Sequence, residues 1–150
     1  GDGIMAIFGA PLPQHDHALQ AVLTADAMRQ ALRELNAKRV AAGKSPLEIG
    51  VGIHTGECVV GNIGTAERMD YTAVGDAVNT ASRIEGLTKE LGADVLLSGE
   101  TYRQLVGRVM TGPREPLRVK GRTAPIEVHH LLRVLGERKV PDAGTTRPLL

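Results

Sequence analysis

Residues Arg68–Arg83 read RMDYTAVGDAVNTASR, and their reading decides the architecture. The first half, up to Val74, carries the aromatic and β-branched residues of a strand. Gly75-Asp76 then breaks it, with Asp76 in the place of a helix N-cap. From Ala77 the apolar residues Val78, Ala81, Ile84, Leu87 and Leu91 recur at three- and four-residue steps, the stripe of an amphipathic helix. Asn79 and Arg83 lie off that stripe. Being four residues apart, they share one face of the helix and present an amide and a guanidinium to the same neighbourhood.

Outward from this junction the chain alternates elements. Upstream, ECVVGNIG predicts a strand joined to RMDYTAVG around Thr65–Glu67, with glycines that loosen or bulge both strands. Before it, LEIGVGIHTG alternates Leu47, Ile49, Val51 and Ile53, the period of a half-buried strand. A long helix is expected from Asp16 to near Ala42, capped at its end by Gly43, with Ala18, Ala21, Val22, Ala25, Met28, Leu32 and Leu35 inward. Arg29, Arg33, Glu34 and Lys38 are placed on its outer face. IMAIF, Ile4–Phe8, reads as a short strand following an Asp-Gly turn. Its partner strand would precede Gly1, which predicts that this chain is a piece of a longer protein.

Downstream, ADVLLSG is a short buried strand and ETYRQLV a short helix capped by Ser98 or Gly99. The segment from Val109 to Val134 alternates strands and turns, with Lys120-Gly121-Arg122 at a hairpin tip. Residues from Gly136 lose periodicity and read as a linker or the start of a following module. The expected fold class is α/β in the α+β sense: a largely antiparallel sheet packed on one side by helices. The strands between Leu47 and Val74 follow too closely for a doubly wound parallel sheet.

The chain has 150 residues with 18 Lys plus Arg against 17 Asp plus Glu, a net charge of +1. That suits one domain and gives no broad field for nucleic acid or an anionic membrane. A ferredoxin-like RNA-binding domain fits the general topology but fails on composition, since Phe8, Tyr71 and Tyr102 are its complete set of aromatics. Cys58 stands alone, so no internal disulfide forms, and a reducing cytoplasmic location is the expectation. Cys58 itself is read as a packed strand residue.

The segments GDGIMAIFGAP, DHALQAV, IGVGIHTGECVVGNIG, RMDYTAVGDAVNTASRIEGLTK, LLSGETYRQL and LRVKGRTAPIEVHHL, in this order, resemble the class III nucleotidyl cyclases, the adenylate and guanylate cyclase catalytic domains. The likeness runs from Gly1 to about Leu132. It implies a ferredoxin-like cyclase fold whose first strands lie outside this chain, spanning residues 1–135 with a linker in 136–150. It also implies attack of a ribose 3′-hydroxyl on the α-phosphate of ATP or GTP, assisted by two Mg²⁺ or Mn²⁺ ions. By the resemblance Asp2 matches a metal-binding aspartate, Asn79 the residue that orients the ribose, and Arg83 the one that stabilises the pentacovalent phosphate. Lys120 matches the lysine on the terminal phosphates and Thr72 one of two base-selecting residues. By the resemblance Thr72 favours adenine, since adenylate cyclases carry Asp or Thr there and guanylate cyclases Cys; able to donate or accept a hydrogen bond, it does not dictate the base by itself. The family's head-to-tail homodimer is implied too, with strands near Cys58–Tyr71 in the dimer arm.

Without the resemblance each residue has a plainer reading. Asp2 is then the Asp of a turn, Asn79 and Arg83 a solvated helix face, and Lys120 a solvated hairpin tip. His15 and His17 read as surface residues, His54 as belonging to no constellation, and His129 and His130 as pointing to opposite faces of a strand. Two alternatives to an adenylate cyclase stay open: a guanylate cyclase, and a cyclase-like nucleotide-binding or dimerising module that has lost its chemistry. The second metal aspartate and the lysine partner of Thr72 both fall upstream of Gly1. The isolated 150 residues are therefore expected to fold poorly or differently and to be inactive, and soluble, metal-dependent turnover by them is the assay result that would contradict this.

Overall fold

The computed structural model describes residues 3–65, 68–117 and 125–136. In chain order the elements are α1 (His17–Ala41), β1 (Val51–Ile53), β2 (Val59–Thr65), β3 (Arg68–Val74), α2 (Asp76–Leu91), β4 (Val95–Ser98), α3 (Gly99–Arg103), β5 (Val109–Leu117) and β6 (Ile126–Val134).

Four strands form one sheet in the order β1-β4-β6-β5, while β2 and β3 pair only with each other. In the larger sheet β1 runs parallel to β4, and the β4–β6 and β5–β6 pairs are antiparallel. The single parallel pair is joined through the β2–β3 ribbon and α2, which together make the long crossover that parallel strands need.

Helices cover both faces of this sheet, not one as the pattern suggested. On β4, Val95 and Leu97 pack with Ala18, Val22 and Ala25 of α1 and with Leu105, Val109 and Leu131. The residue between them, Leu96, packs with Ile84 of α2, with Ala93, Ile126 and Val128, and against Leu87 and Leu91. All four residues of β4 are buried. The period-two alternation of a strand thus feeds two cores, and a strand buried on both faces reads as a continuous apolar run.

On α1 the buried positions are Ala18, Val22, Ala25 and Arg29, whereas Met28 and Leu35 are exposed. Arg29 was assigned to the outer face. It lies inside because its guanidinium finds acceptors there: Nη1 donates to the carbonyl of Leu131 at 2.8 Å, and Nη2 to Asp26 at 2.7 Å and to the carbonyl of Leu132 at 3.3 Å. Asp94 lies 3.5 Å from Nη1. A buried cation is tolerated when paired and hydrogen-bonded, and here it fastens α1 to β6.

Three further expectations are corrected. Ile4–Phe8 is no strand; Ile4 is 86% exposed, and no described segment pairs with it to satisfy its backbone. The strand expected from Leu47 is confined to Val51–Ile53. Cys58 is exposed in the loop before β2, not packed in a strand. Lys120 and the hairpin tip lie outside the described residues, as do Asp2 and the segment from residue 137.

Helix α2 crosses β1 at two glycines. A methyl group built on Gly52 would collide with the backbone nitrogen of Glu85 and the carbonyl oxygen of Ala81, and one on Gly50 with the hydroxyl of Thr88. Because helix backbone cannot step aside, Gly52→Ala is expected to cost about 1–3 kcal/mol, the usual range for overpacking. Urea unfolding of the two proteins measures it, and an unchanged midpoint would mean that α2 does not need this close approach.

Candidate active site

The site candidates gather around the junction of the ribbon with α2. The ribbon is antiparallel over seven residue pairs, from Val59 opposite Val74 to Thr65 opposite Arg68, and places Thr72 opposite Gly61. Thr72 is half-buried there. The chain leaves β3 through Gly75, at φ 154° and ψ 172°, a conformation open to glycine and strained for other residues. A side chain would also press on Cys58, whose Cα and Cβ lie 3.3 Å from the position of a built Cβ.

Gly75, not Asp76, is the N-cap of α2, and Asp76 is the helix's first residue. Its carboxylate still sits in the first turn, where the helix dipole favours negative charge. Asn79 follows in that turn and is exposed, and Arg83 is half-buried one turn on. Ile84, Thr80 and Thr88 form the buried side of the helix. Asn79 and Arg83 therefore project away from the sheet, as their spacing predicts. Among the described residues no hydrogen bond or ion pair occupies the side chains of Thr72, Asn79 or Arg83. A half-buried guanidinium without an internal carboxylate keeps its planar donors for an anion, and phosphate is its natural partner.

An open groove of about 490 Å³ lies at the foot of the ribbon, lined by Glu57, Cys58, Val59, Val74 and Gly75. Its lining includes none of Thr72, Asn79 and Arg83, so these three face a surface that this chain does not enclose at that groove. Among the described residues no group of three or more His, Cys, Asp or Glu side chains converges to hold a metal ion. Asp2 and Lys120, the other two site residues of the sequence analysis, lie outside the described residues.

Sequence reasoning missed a polar cluster beside this site. His54, read as isolated, places Nδ1 2.9 Å from Ser98 Oγ and 3.8 Å from Glu100 Oε2. Ser98 caps α3 by accepting the Thr101 N–H at 3.2 Å. The Ser98-Gly99-Glu100-Thr101 order is a capping pattern that pointed to the helix start but not to the histidine packed on it. On β6, His129 is buried, stacks on Tyr102 with ring centroids 4.1 Å apart, and bonds Glu127 at 2.8 Å. His130, on the opposite face as expected, reaches Asp94 at 3.2 Å.

The family model described as the adenylate and guanylate cyclase catalytic domain matches residues 1–133. The chain belongs to this family. Adenylate cyclase 1 of Rhizobium meliloti is 37% identical over 145 residues, covering 97% of this chain and 22% of that protein. An adenylate cyclase of Anabaena cylindrica is 38% identical over 138 residues, with 87% and 26% covered. Among solved structures, the guanylyl cyclase Cya2 superimposes with a TM-score of 0.79 at 38% identity, over 89% of this chain and 66% of that one. The adenylyl cyclase CyaB from P. aeruginosa gives 0.75 at 36%, over 88% and 66%. The chain thus spans about a quarter of these curated relatives and about two thirds of the solved cyclase chains. The α+β sheet with helices packed on it is the architecture of this family, and no helix among the described residues is long and apolar enough to cross a membrane.

Within this cyclase fold the Glu100 carboxyl titrates below the ordinary glutamate range. Partial burial pushes it up, but the N–H of its own backbone, His54, the Ser98 hydroxyl and Arg103 together pull it further down. A carboxyl whose folded value is depressed contributes stability above its unfolded value, and that contribution is lost as pH falls through the folded one. The melting-temperature difference between wild type and Glu100→Gln should accordingly be largest at neutral pH and close toward pH ~3. A difference that stays constant from about pH 3 to 7 would show that the carboxylate has no net partner.

Proposed function

We propose that this chain is the catalytic portion of an adenylate cyclase that converts ATP to 3′,5′-cyclic AMP and pyrophosphate in signal transduction. The observation that carries the reading is the Asn79–Arg83 pair: two polar side chains one turn apart on α2, without partners among the described residues, in a chain of the cyclase family. In the reaction the ribose 3′-hydroxyl gives up its proton to water and its oxygen bonds to the α-phosphorus, while the bond from that phosphorus to the bridging oxygen breaks and pyrophosphate leaves with its electron pair. Asn79 holds the ribose by its amide, so that the 3′-oxygen lies in line with the leaving group. Arg83 sets its donors against the charge that accumulates on the α-phosphate oxygens. Thr72, at the foot of the ribbon, bonds the adenine edge, and Lys120 binds the terminal phosphates. Asp2, with a further carboxylate, is the proposed holder of Mg²⁺ or Mn²⁺, which would neutralise the triphosphate.

The same reading makes the site a joint product of two copies arranged head to tail. What supports it is the openness of the surface around Thr72, Asn79 and Arg83, together with the ribbon's apolar exposure. Val59 is 70% exposed, and Tyr71 and Val74 are each 53% exposed. Aromatic and branched residues left in water on a projecting ribbon suit burial against a second copy.

Product analysis of the full-length protein with ATP or GTP and Mg²⁺ or Mn²⁺ tests the proposal. Wild type is expected to release cyclic AMP. Arg83→Ala should lose about 10²–10³-fold in kcat, as for other donors to a developing oxyanion, and Asn79→Ala should lose a comparable amount. Cyclic GMP as the main product would overturn the assignment of Thr72 to adenine. A folded protein that binds ATP without turnover would replace the enzyme by a nucleotide-binding regulatory module.

A further inference from the structure

His54 follows directly on β1, and its side chain is 9% exposed. Its two ring edges meet different elements. Nδ1 faces Ser98 Oγ at the end of β4 and Glu100 on α3. The other edge lies against the loop and α2: a Cβ built on Gly56 would fall 3.0 Å from Nε2 and 3.1 Å from the methyl of Ala77. Gly56 is thus a thin spacer between the imidazole and the first turn of α2, two residues before Asn79.

The hydroxyls behind the ring form a chain with two complete arrangements. Ser98 is fully buried; its oxygen accepts the Thr101 N–H and lies 3.2 Å from Thr101 Oγ1. Thr101 Oγ1 donates to the carbonyl of Ile53 at 3.4 Å and lies 3.1 Å from Thr55 Oγ1. When Nδ1 is unprotonated, the Ser98 hydroxyl donates to it. When the ring takes up a proton, Nδ1 becomes the donor, and the Ser98 hydrogen turns to the Glu100 carboxylate or to Thr101 Oγ1, which keeps its bond to Ile53. Neither arrangement leaves a buried hydroxyl unpaired, so the cluster accepts both states of the ring.

The charge itself is not neutral in effect. On α3, Glu100 favours the imidazolium, with Arg103 behind it 3.7 Å from the carboxylate. The Glu127–His129 pair of β6 borders the start of α3, where a Cβ on Gly99 would lie 3.1 Å from Glu127. On the other side stand the positive N-terminal end of α2, with Asp76 in its first turn, and Glu57 next to Gly56 in the loop. A cation beside a helix N-terminus is disfavoured.

We propose that His54 is a positioning residue for the nucleotide site: neutral, it seats the first turn of α2 and with it Asn79, and protonated, it draws toward Glu100 and loosens that seat. This inference rests on the nucleotide-binding reading of Asn79 and Arg83. It makes nucleotide affinity respond to a proton taken up away from the reacting atoms, in the range where histidine titrates, around pH 6.5.

The test uses the full-length protein with ¹³C-methyl alanine, comparing wild type, His54→Asn and Ser98→Ala between about pH 5.5 and 8.5. In wild type the KM for ATP should rise about ten-fold as pH falls through the histidine range, kcat changing less, with the Ala77 methyl shift following the same titration. In His54→Asn both dependences should vanish, and in Ser98→Ala, which keeps the ring but removes its hydroxyl partner, the midpoint should move. An Ala77 methyl indifferent to pH, or a KM profile identical in His54→Asn, overturns the proposal. Should wild type form no cyclic nucleotide, the function proposed above fails. The role of His54 is then decided by the Kd for ATP: a pH dependence abolished in His54→Asn supports it, and a pH-independent Kd overturns it.

Discussion

The close passage of α2 over β1 is the constraint from which the rest follows. At Gly52 the helix backbone and the strand backbone approach nearer than any side chain permits, and at Gly50 the Thr88 side chain takes the space a Cβ would need. That contact fixes where α2 lies against the sheet, and so where Ile84 and Leu87 meet Leu96. It equally fixes where the opposite side of the helix looks outward. Asn79 and Arg83 are located by a packing requirement on the side of α2 that they do not occupy.

The functional junction is built in the same economical way. Gly75 takes a conformation that lets the ribbon turn into the helix within one residue, which brings Thr72 and Asn79 close along the chain. The sheet below is rigidified from both sides, by α1 through Val22, Ala25 and the Arg29 bonds to β6, and by α2 through Ile84. Polar side chains that must hold a substrate gain precision when the elements carrying them are fastened at their backs.

Much of this was legible in the sequence, because period and punctuation are local signals. The strand–Gly–helix reading of Arg68–Arg83, the length of α1, the ribbon and the Ser98 cap follow from residue spacing and turn chemistry. What was not legible depends on partners distant in the chain. Arg29 carries the charge of a surface residue, and beside the nearby Asp26 it needs Asp94 and the carbonyls of Leu131 and Leu132, about a hundred residues on, to be buried. His54 is unremarkable until Ser98 and Glu100 are brought to it. Ile4–Phe8 has the composition of a strand but no described neighbour to pair with, and composition alone cannot supply one. The continuous apolar run of β4 shows a buried strand, but not which elements cover its two faces, and the packing of α1 on one and α2 on the other depends on residues distant in the chain.

Among the described residues the β2–β3 ribbon pairs with no strand of the four-stranded sheet and makes a light contact with α2. Ala73 is buried, but the exposed side chains Val59, Ile63, Tyr71 and Val74 are free of the volume constraints that bind the core. Substitutions at Val59, Ile63, Tyr71 or Val74 can accumulate without opening cavities beneath α1 or α2, so drift there is filtered by what the ribbon touches rather than by folding. With the ribbon as the proposed pairing surface, two gene copies of such a domain would be able to diverge in which chain they associate with while inheriting an unaltered scaffold. In physical terms, the fold separates the evolution of recognition from the evolution of stability.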